Sequence, residues 1–317
     1  MDNAGVSMGK EDRLCRLCPR NCGVDRSRTV GFCGMTDEIR IARAALHMWE
    51  EPCISGNAGS GTVFFSGCTL RCVFCQNYGI STLRQGTGIS AERLGEIFLE
   101  LQAAGAWNIN LVTPGHYVPQ IIRALDMARR QGLGLPVVYN TSGYERVETL
   151  KALEGYVDIY LPDFKYVSAQ LSGKYSGALD YFDVASAALA EMVRQVPAAL
   201  FDAAEDGRML KGVIVRHLLL PGCLMDSKKV VRYLYETYGD RIYISLMSQY
   251  TPLPHVAQKY PELNVKVKRK SYNKLVDYAL ELGVANAFIQ EGEAAKESFI
   301  PDFDMAGAEP EPKPELD

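Results

Sequence analysis

No run in this 317-residue chain approaches the ~18 consecutive apolar residues that a membrane-spanning helix needs. The opening Met1-Asp2-Asn3-Ala4-Gly5-Val6 has no apolar signal core, so neither membrane nor export is expected. Basic runs are missing as well. Formal net charge is -4, and no stretch interleaves Lys and Arg with aromatic residues, which argues against a nucleic-acid or anionic-membrane partner. No long-period repeat is present. What the chain does have is cysteine, nine in all. In a secreted protein these would suggest disulfides. Here they cluster at metal-ligand spacings without an export signal, so a reducing cytoplasm is expected. An apolar content of 47% over this length can bury a large core and suits one catalytic domain with an appendage.

Cys68, Cys72 and Cys75 stand in Gly67-Cys68-Thr69-Leu70-Arg71-Cys72-Val73-Phe74-Cys75-Gln76-Asn77, a C-x3-C-x2-C spacing directly after the apolar run 62–66. Thiolates in such sets hold iron-sulfur clusters, and a cubane cluster has four irons, so three cysteines leave one iron open to a substrate or cofactor. The alternatives are a disulfide with a spare thiol, or part of a zinc site; zinc favours paired C-x2-C knuckles and four ligands.

The middle of the chain alternates strand and helix signals. Residues 62–66 read as a first strand. A helix from Ser90 follows, with Leu94, Ile97, Phe98 and Leu101 on one face and Gly105 stopping it. Further β-rich runs occur at 108–112, 136–140, 158–163, 213–220 and 242–247, each separated by helical patterns. Six such runs predict an α/β fold with a parallel sheet, a partial six-stranded β/α barrel rather than a closed one. An open doubly wound sheet is the competing arrangement. In either, ligands gather at the carboxyl ends of the strands. Those ends carry Thr113-Pro114-Gly115-His116, Asn140-Thr141, Asp163-Phe164-Lys165 and, within the fifth strand, Arg216. A cation inside so apolar a run is costly unless it faces a ligand or partner, so Arg216 is expected to face a carboxylate ligand, with a buried structural ion pair as the alternative, and His217 on the opposite face. His116 is expected at the rim. Residues 288–292 read as a final short strand.

A second cysteine set, Cys15-x2-Cys18-x3-Cys22-x10-Cys33, lies in a stretch with little apolar periodicity that needs a metal staple. Four thiolates can complete a tetrahedral zinc site or fill every iron of an auxiliary iron-sulfur cluster, and spacing does not choose. Arginines between Arg13 and Arg43 would offset thiolate charge in either case. Cys53 and Cys223 are expected as core or rim thiols. The expected domains are therefore a cysteine-rich extension over 1–55, the partial barrel over 56–295, and an acidic, proline-rich, disordered tail over 296–317.

The three-cysteine motif, with Phe74 before its last cysteine, resembles the signature of the radical S-adenosylmethionine superfamily. In that superfamily the amino and carboxylate groups of S-adenosylmethionine chelate the open iron of a 4Fe-4S cluster, and one electron releases a 5'-deoxyadenosyl radical that abstracts hydrogen. Asn140-Thr141 and Asp163-x-Lys165 resemble segments of the pyruvate formate-lyase activating enzymes, where an Asp-Thr pair and the Asp of Asp-x-Lys hold a monovalent cation beside the S-adenosylmethionine carboxylate. Asn140 replaces the first of these Asp residues. Arg216 with Pro221-Gly222 is similar to their Arg-x-x-x-x-Pro-Gly segment. Thr113 to Gly115 occupy the place of a Gly-Gly-Glu-like segment that cradles the methionine amino group, and Tyr250 that of a histidine near the nucleoside. With Cys15-Arg16-Leu17-Cys18-Pro19-Arg20-Asn21-Cys22 and Trp49-Glu50-Glu51-Pro52-Cys53-Ile54-Ser55-Gly56, the chain resembles, from about Cys15 to Gly292, uncharacterised homologues of those activating enzymes.

The resemblance implies an enzyme that cleaves S-adenosylmethionine reductively and turns the radical on a protein, peptide or small molecule. It implies a reducing partner such as ferredoxin or flavodoxin. Activation of a glycyl-radical enzyme would further need a partner loop, for which the sequence offers no docking signal. A non-catalytic iron-sulfur or zinc protein in electron transfer or redox sensing is the alternative.

Overall fold

The computed structural model describes residues 14–204, 207–290 and 301–310. Its strands are β1 (Ile39–His47), β2 (Ser60–Phe65), β3 (Thr87–Ile89), β4 (Ile109–Val112), β5 (Val137–Thr141), β6 (Ile159–Pro162), β7 (Leu200–Phe201), β8 (Met209–Leu218), β9 (Tyr243–Met247) and β10 (Ala287–Ile289). The helices are α1 (Pro52–Ser55), α2 (Tyr78–Ser81), α3 (Ala91–Ala103), α4 (Val118–Arg130), α5 (Val147–Lys151), α6 (Ala169–Ser176), α7 (Tyr181–Gln195), α8 (Leu224–Tyr238), α9 (Pro254–Ala257) and α10 (Arg269–Leu282).

Strands β2, β4, β5, β6, β8, β9 and β10 run parallel in that spatial order. The order never reverses. Crossovers of one hand then place the helices on one face, which separates this sheet from a doubly wound one with its switch point. The edge strands β3 and β10 do not meet, so the sheet stays open. All six expected strands are present, and the expected final strand is β10; Glu291 and Gly292 lie outside the described residues.

Strand alternation divides the core. Phe65, Leu111, Tyr139, Tyr160, Val215 and Leu246 pack towards the long helices. Their neighbours Val138, Ile159, Leu161 and Ile214 face the other way and close on Cys53 and Ile54 of α1. Cys53 is thus a core thiol, 4% exposed. Pro52 at the first position of α1 is preorganised for a helix start. This short helix plugs one end of the inner face and leaves the carboxyl end open.

Helix α3 forms as its sequence predicts. Ser90 caps it by accepting the Arg93 amide, and Leu94, Ile97, Phe98 and Leu101 are all buried.

Strand β1 was not among the expected strands because Arg40 and Arg43 interrupt its apolar pattern. It pairs antiparallel with β2, and β3 covers its other edge only at Ile39–Ile41. The expected extension boundary at residue 55 therefore does not coincide with the fold: β1 and α1 belong to the sheet, and the segment apart from it is 14–38. The expected disorder from residue 296 does not extend over 301–310. Met305 donates its amide to the Ala42 carbonyl (2.9 Å), and Ala306 accepts from the Ala44 amide (2.7 Å), completing the β1 edge that β3 leaves open. The Arg93 side chain donates to the carbonyls of Gly307, Ala308 and Glu309. Composition signals disorder only while no unpaired edge is available to such a segment.

Two histidines pin strand ends. His116, expected at the rim, is 1% exposed and its Nε2 lies 2.8 Å from the Ser66 carbonyl. His217, on the face opposite Arg216, places Nδ1 2.7 Å from the Phe164 carbonyl. Burial pushes both below the ordinary histidine range, His116 to about 3 and His217 to about 4.

Replacing Ser90 by Ala should cost about 1 kcal/mol in urea unfolding, the usual value of an N-cap. The histidine sign is equally definite. Between pH 6.5 and 4 the unfolded chain binds protons that the folded chain does not, so stability is full above 6.5 and falls with pH through this window. Imidazole NMR should show His217 still neutral at pH 5; a midpoint near 6.5 would contradict its burial.

Candidate active site

Chain direction at the end of β2 is set by Gly67. Its φ is +83°, and a Cβ there would stand 2.9 Å from the Cys33 carbonyl, so a side chain is excluded on both counts. The loop that follows carries Cys68, Cys72 and Cys75, the first two nearly buried. Each thiol has donors aimed at it. The Leu70 and Arg71 amides lie 3.4 and 3.5 Å from Cys68 Sγ, the Ser176 hydroxyl 3.0 Å from Cys72 Sγ, and the Ser81 hydroxyl 3.3 Å from Cys75 Sγ. Burial pushes the Cys72 thiol up to about 12 and Cys75 upward too. Lys165 draws both thiols downward but burial outweighs it, whereas a bound metal would reverse that preference. Donors trained on sulfur are what metal-bound thiolates need, so this set fits a thiolate-ligated cluster. Among the described residues no group of three or more His, Cys, Asp or Glu side chains is arranged to hold a metal ion.

The loop opens onto a cavity of about 210 Å³ at the carboxyl ends of the strands. Cys72, Phe74 and Cys75 form one wall, Asn140, Asp163, Lys165 and Arg216 the floor, and His47, Trp49 and Glu50 the opposite side. Arg216 is the hub. Its Nε donates to Asp163 Oδ1 (3.1 Å), Nη1 to Glu50 Oε2 (3.0 Å) and Nη2 to Asn140 Oδ1 (2.6 Å). Lys165 Nζ donates to Asp163 Oδ2 at 2.6 Å. The second Glu50 oxygen accepts from the side-chain amides of Asn110 and Asn140, both at 3.2 Å. Burial alone would raise the Asp163 carboxyl, but Lys165 and Arg216 outweigh it and hold the group below the usual carboxylate range. Burial opposes the charge on Lys165, yet Asp163 and the Cys72 thiol raise it. Glu51, beside the same guanidinium, is pushed up by burial, and its Oε2 has no hydrogen-bond partner.

The site residues expected from sequence separate into two groups. Phe74, Asn140, Asp163, Lys165 and Arg216 meet the cysteine loop in one cavity. Thr113, Pro114 and Gly115 do not line it. Thr113 adopts φ +60° and donates its amide to the Asn140 carbonyl, while Gly115 leaves room for the Glu145 carboxylate. Thr141 points away from Asn140, as strand alternation requires, and its hydroxyl bonds Glu145. The oxygen cage expected for a monovalent cation is already filled by the protein's own cations, because Lys165 and Arg216 take up Asp163 and Asn140. Arg216, expected to face a ligand carboxylate, does line the cavity but is neutralised by Glu50 and Asp163. Tyr250 donates to the Leu263 carbonyl (2.6 Å) and packs edge-on against Phe74. Cys223 lies beyond β8, partly buried and outside the cavity.

Glu50, His47, Gln76 and Gln249 were not singled out for this site. Gln76 donates to the Gln249 carbonyl at 2.8 Å and ties the cysteine loop to the segment after β9. The only signal was the pair Glu50-Glu51 ahead of Pro52, since a carboxylate pair before a plugging helix needs a counter-charge. Replacing Arg216 by Met should destabilise the fold by ~3–5 kcal/mol, because it strands the carboxylates of Glu50 and Asp163. Adding Glu50→Gln should recover part of the loss. Additive losses in urea unfolding would disconnect the pair.

Comparison with known proteins follows the same line. Residues 62–181 match the family model described as the Radical SAM superfamily. An uncharacterized protein of Methanocaldococcus jannaschii is 28% identical over 276 residues, covering 84% of this chain and 73% of the relative. Among solved structures, Streptococcus suis SuiB bound to S-adenosylmethionine aligns over 71% of this chain with a TM-score of 0.47 and 13% identity. The chain spans about half of SuiB, 48% of its length. A domain of the pyruvate-formate lyase-activating enzyme from Bacteroides vulgatus aligns over 55% of this chain and 92% of that domain, with a TM-score of 0.36 and 15% identity. Residues 62–181, which hold the cysteine loop and the Asp163–Lys165 floor of the cavity, are thus the part of this chain that matches the Radical SAM superfamily model.

Proposed function

We propose that this chain is a radical S-adenosylmethionine enzyme in which Cys68, Cys72 and Cys75 hold a 4Fe-4S cluster and the adjoining cavity receives S-adenosylmethionine. One observation carries the reading: the three-thiol loop opens into the same cavity as the buried Asp163–Lys165–Arg216 network. When bound, the cluster supplies the electron that splits the sulfonium, giving a 5'-deoxyadenosyl radical able to take a hydrogen atom from the substrate.

The chain's own residues bind, orient and exclude water. Lys165, whose ammonium keeps donor capacity beyond its bond to Asp163, is placed to meet a carboxylate, and the Asp163 and Glu50 oxygens, held by Arg216, keep acceptor capacity for an amino or hydroxyl group. These groups are held in place before any ligand arrives, which lowers the ordering cost of binding. Phe64, Leu218 and Met247, with Phe74 of the cysteine wall, give the cavity apolar surface, which keeps water from a reactive intermediate. The substrate is a protein, peptide or small molecule, with a glycyl-radical activase as the specific form suggested by the Asp-x-Lys likeness. The electron comes from a ferredoxin- or flavodoxin-like donor.

Anaerobically reconstituted protein with dithionite and S-adenosylmethionine should release 5'-deoxyadenosine, and Cys68→Ala, Cys72→Ala or Cys75→Ala should abolish it. Lys165→Ala should weaken S-adenosylmethionine binding by about tenfold, corresponding to roughly 1.4 kcal/mol. A fully loaded cluster that yields no 5'-deoxyadenosine would instead make the protein an electron carrier or redox sensor.

A further inference from the structure

The expected absence of basic runs fails at one place. Lys266-Val267-Lys268-Arg269-Lys270 puts four cations into five residues, and all four are exposed. Lys259 and Lys274 extend the run, and between residues 251 and 274 the sequence holds a single acid, Glu262. Its carboxylate is already engaged, by Lys174 Nζ at 2.7 Å and the Tyr175 hydroxyl at 2.9 Å. Helix α8 packs beside α10 and continues the positive surface. Lys228 Nζ stands 4.5 Å from the centre of the Tyr278 ring, and Arg232 Nε donates to the Tyr278 hydroxyl (2.7 Å). Among the described residues Lys259, Lys266, Lys268, Arg269, Lys270 and Lys274 form no ion pair. On a chain of net charge -4, so concentrated a positive face repels itself and attracts an anionic partner.

These cations border an apolar cleft of about 220 Å³. Leu220 and Pro221, after β8, line it together with Val265 and Val267, ahead of α10. An apolar centre inside a charged rim is the make-up of a protein interface. A nucleic-acid strand would instead need exposed aromatic faces among the cations. The two tyrosines of α10 do not supply them, because Tyr272 is buried and Tyr278 is covered by Lys228 and Arg232.

The segment bearing the basic run rests on the cysteine loop. Tyr250 donates to the Leu263 carbonyl and packs edge-on against Phe74, with ring centres 6.5 Å apart. Tyr175, bonded to Glu262, accepts the Val73 amide on its own carbonyl (2.8 Å), and His255 Nε2 lies 3.3 Å from the Val73 carbonyl. Val73 and Phe74 are the residues between Cys72 and Cys75. Leu218 lines the cavity whereas Leu219 lines the cleft, so strand alternation sets the two openings on opposite faces. A body seated in the cleft therefore reaches the cysteine loop from behind and leaves the cavity clear.

We infer that this face docks an acidic one-electron carrier, a small protein bearing a flavin or an iron-sulfur group. The inference rests on the proposed function, in which a cluster on Cys68, Cys72 and Cys75 must be reduced. The carrier loses one electron and the cluster gains it, with no covalent bond made or broken. Such encounters use small, short-lived interfaces, and opposite charge speeds them.

The probes are a flavodoxin and a ferredoxin from the same cell. Titrated against the reconstituted protein at low ionic strength, one of the two should bind, and Lys266→Glu/Lys268→Glu/Lys270→Glu should weaken that binding by about tenfold or more. Added salt should weaken wild-type binding too. Arg130→Glu/Lys151→Glu/Lys211→Glu makes the same change of charge at exposed positions away from the cleft and should leave binding unchanged. Binding by neither carrier, binding indifferent to the first variant, or equal loss in both variants overturns the docking face. Binding of a single-stranded RNA in place of both carriers reassigns the face to a phosphate backbone and overturns it as well. With the carrier as reductant, the first variant should raise the carrier's KM for 5'-deoxyadenosine release by about tenfold, while release driven by dithionite stays at the wild-type level. A wild-type protein that releases none with dithionite strikes the proposed function alone, since the titration decides the docking face without it.

Discussion

The charged network around Arg216 is the constraint on which the site depends. One guanidinium on β8 binds Asp163 at the end of β6, Asn140 on β5 and Glu50 on the segment leaving β1. Backbone pairing already fixes the neighbouring strands. The network adds what pairing cannot, the relative position of polar side chains at the carboxyl edge and the closure of that edge by a segment distant in sequence. Buried charges are tolerated here because each has an opposite partner and further hydrogen bonds. Removing one partner therefore disturbs three strands at once.

The cavity follows from this arrangement and from where α1 sits. Cys53 and Ile54 fill the inner face at one end of the sheet, and the cavity described above lies at the other. Into that space the sheet delivers a cation pair, two carboxylates and the three-thiol loop. Lys165 links the halves, being bonded to Asp163 and close enough to Cys72 to be stabilised by its thiol. The same coupling between a charged floor and a wall of thiols underlies the proposed chemistry.

Sequence alone determined the strand and helix succession, the three-cysteine loop and its separation from the four-cysteine set, and the membership of Asn140, Asp163, Lys165 and Arg216 in one edge. These are local or periodic properties: apolar runs of strand length, a capped helix after Ser90, and cysteine spacings read directly along the chain. Tertiary structure decided the rest. Thr141 and Thr113 to Gly115 stand at strand ends like their neighbours, yet Thr141 turns towards Glu145 and Thr113 to Gly115 line no part of the cavity, a difference of face that sequence position does not record. Glu50 became a site residue because β1 runs antiparallel to β2 and carries the segment after it across the sheet's inner face. Residues 301–310 became ordered by completing the β1 edge that β3 leaves uncovered. In each case the deciding partner is far away in the chain, and the free energy of a buried charge or an unpaired edge depends on that partner rather than on the residue's own neighbours.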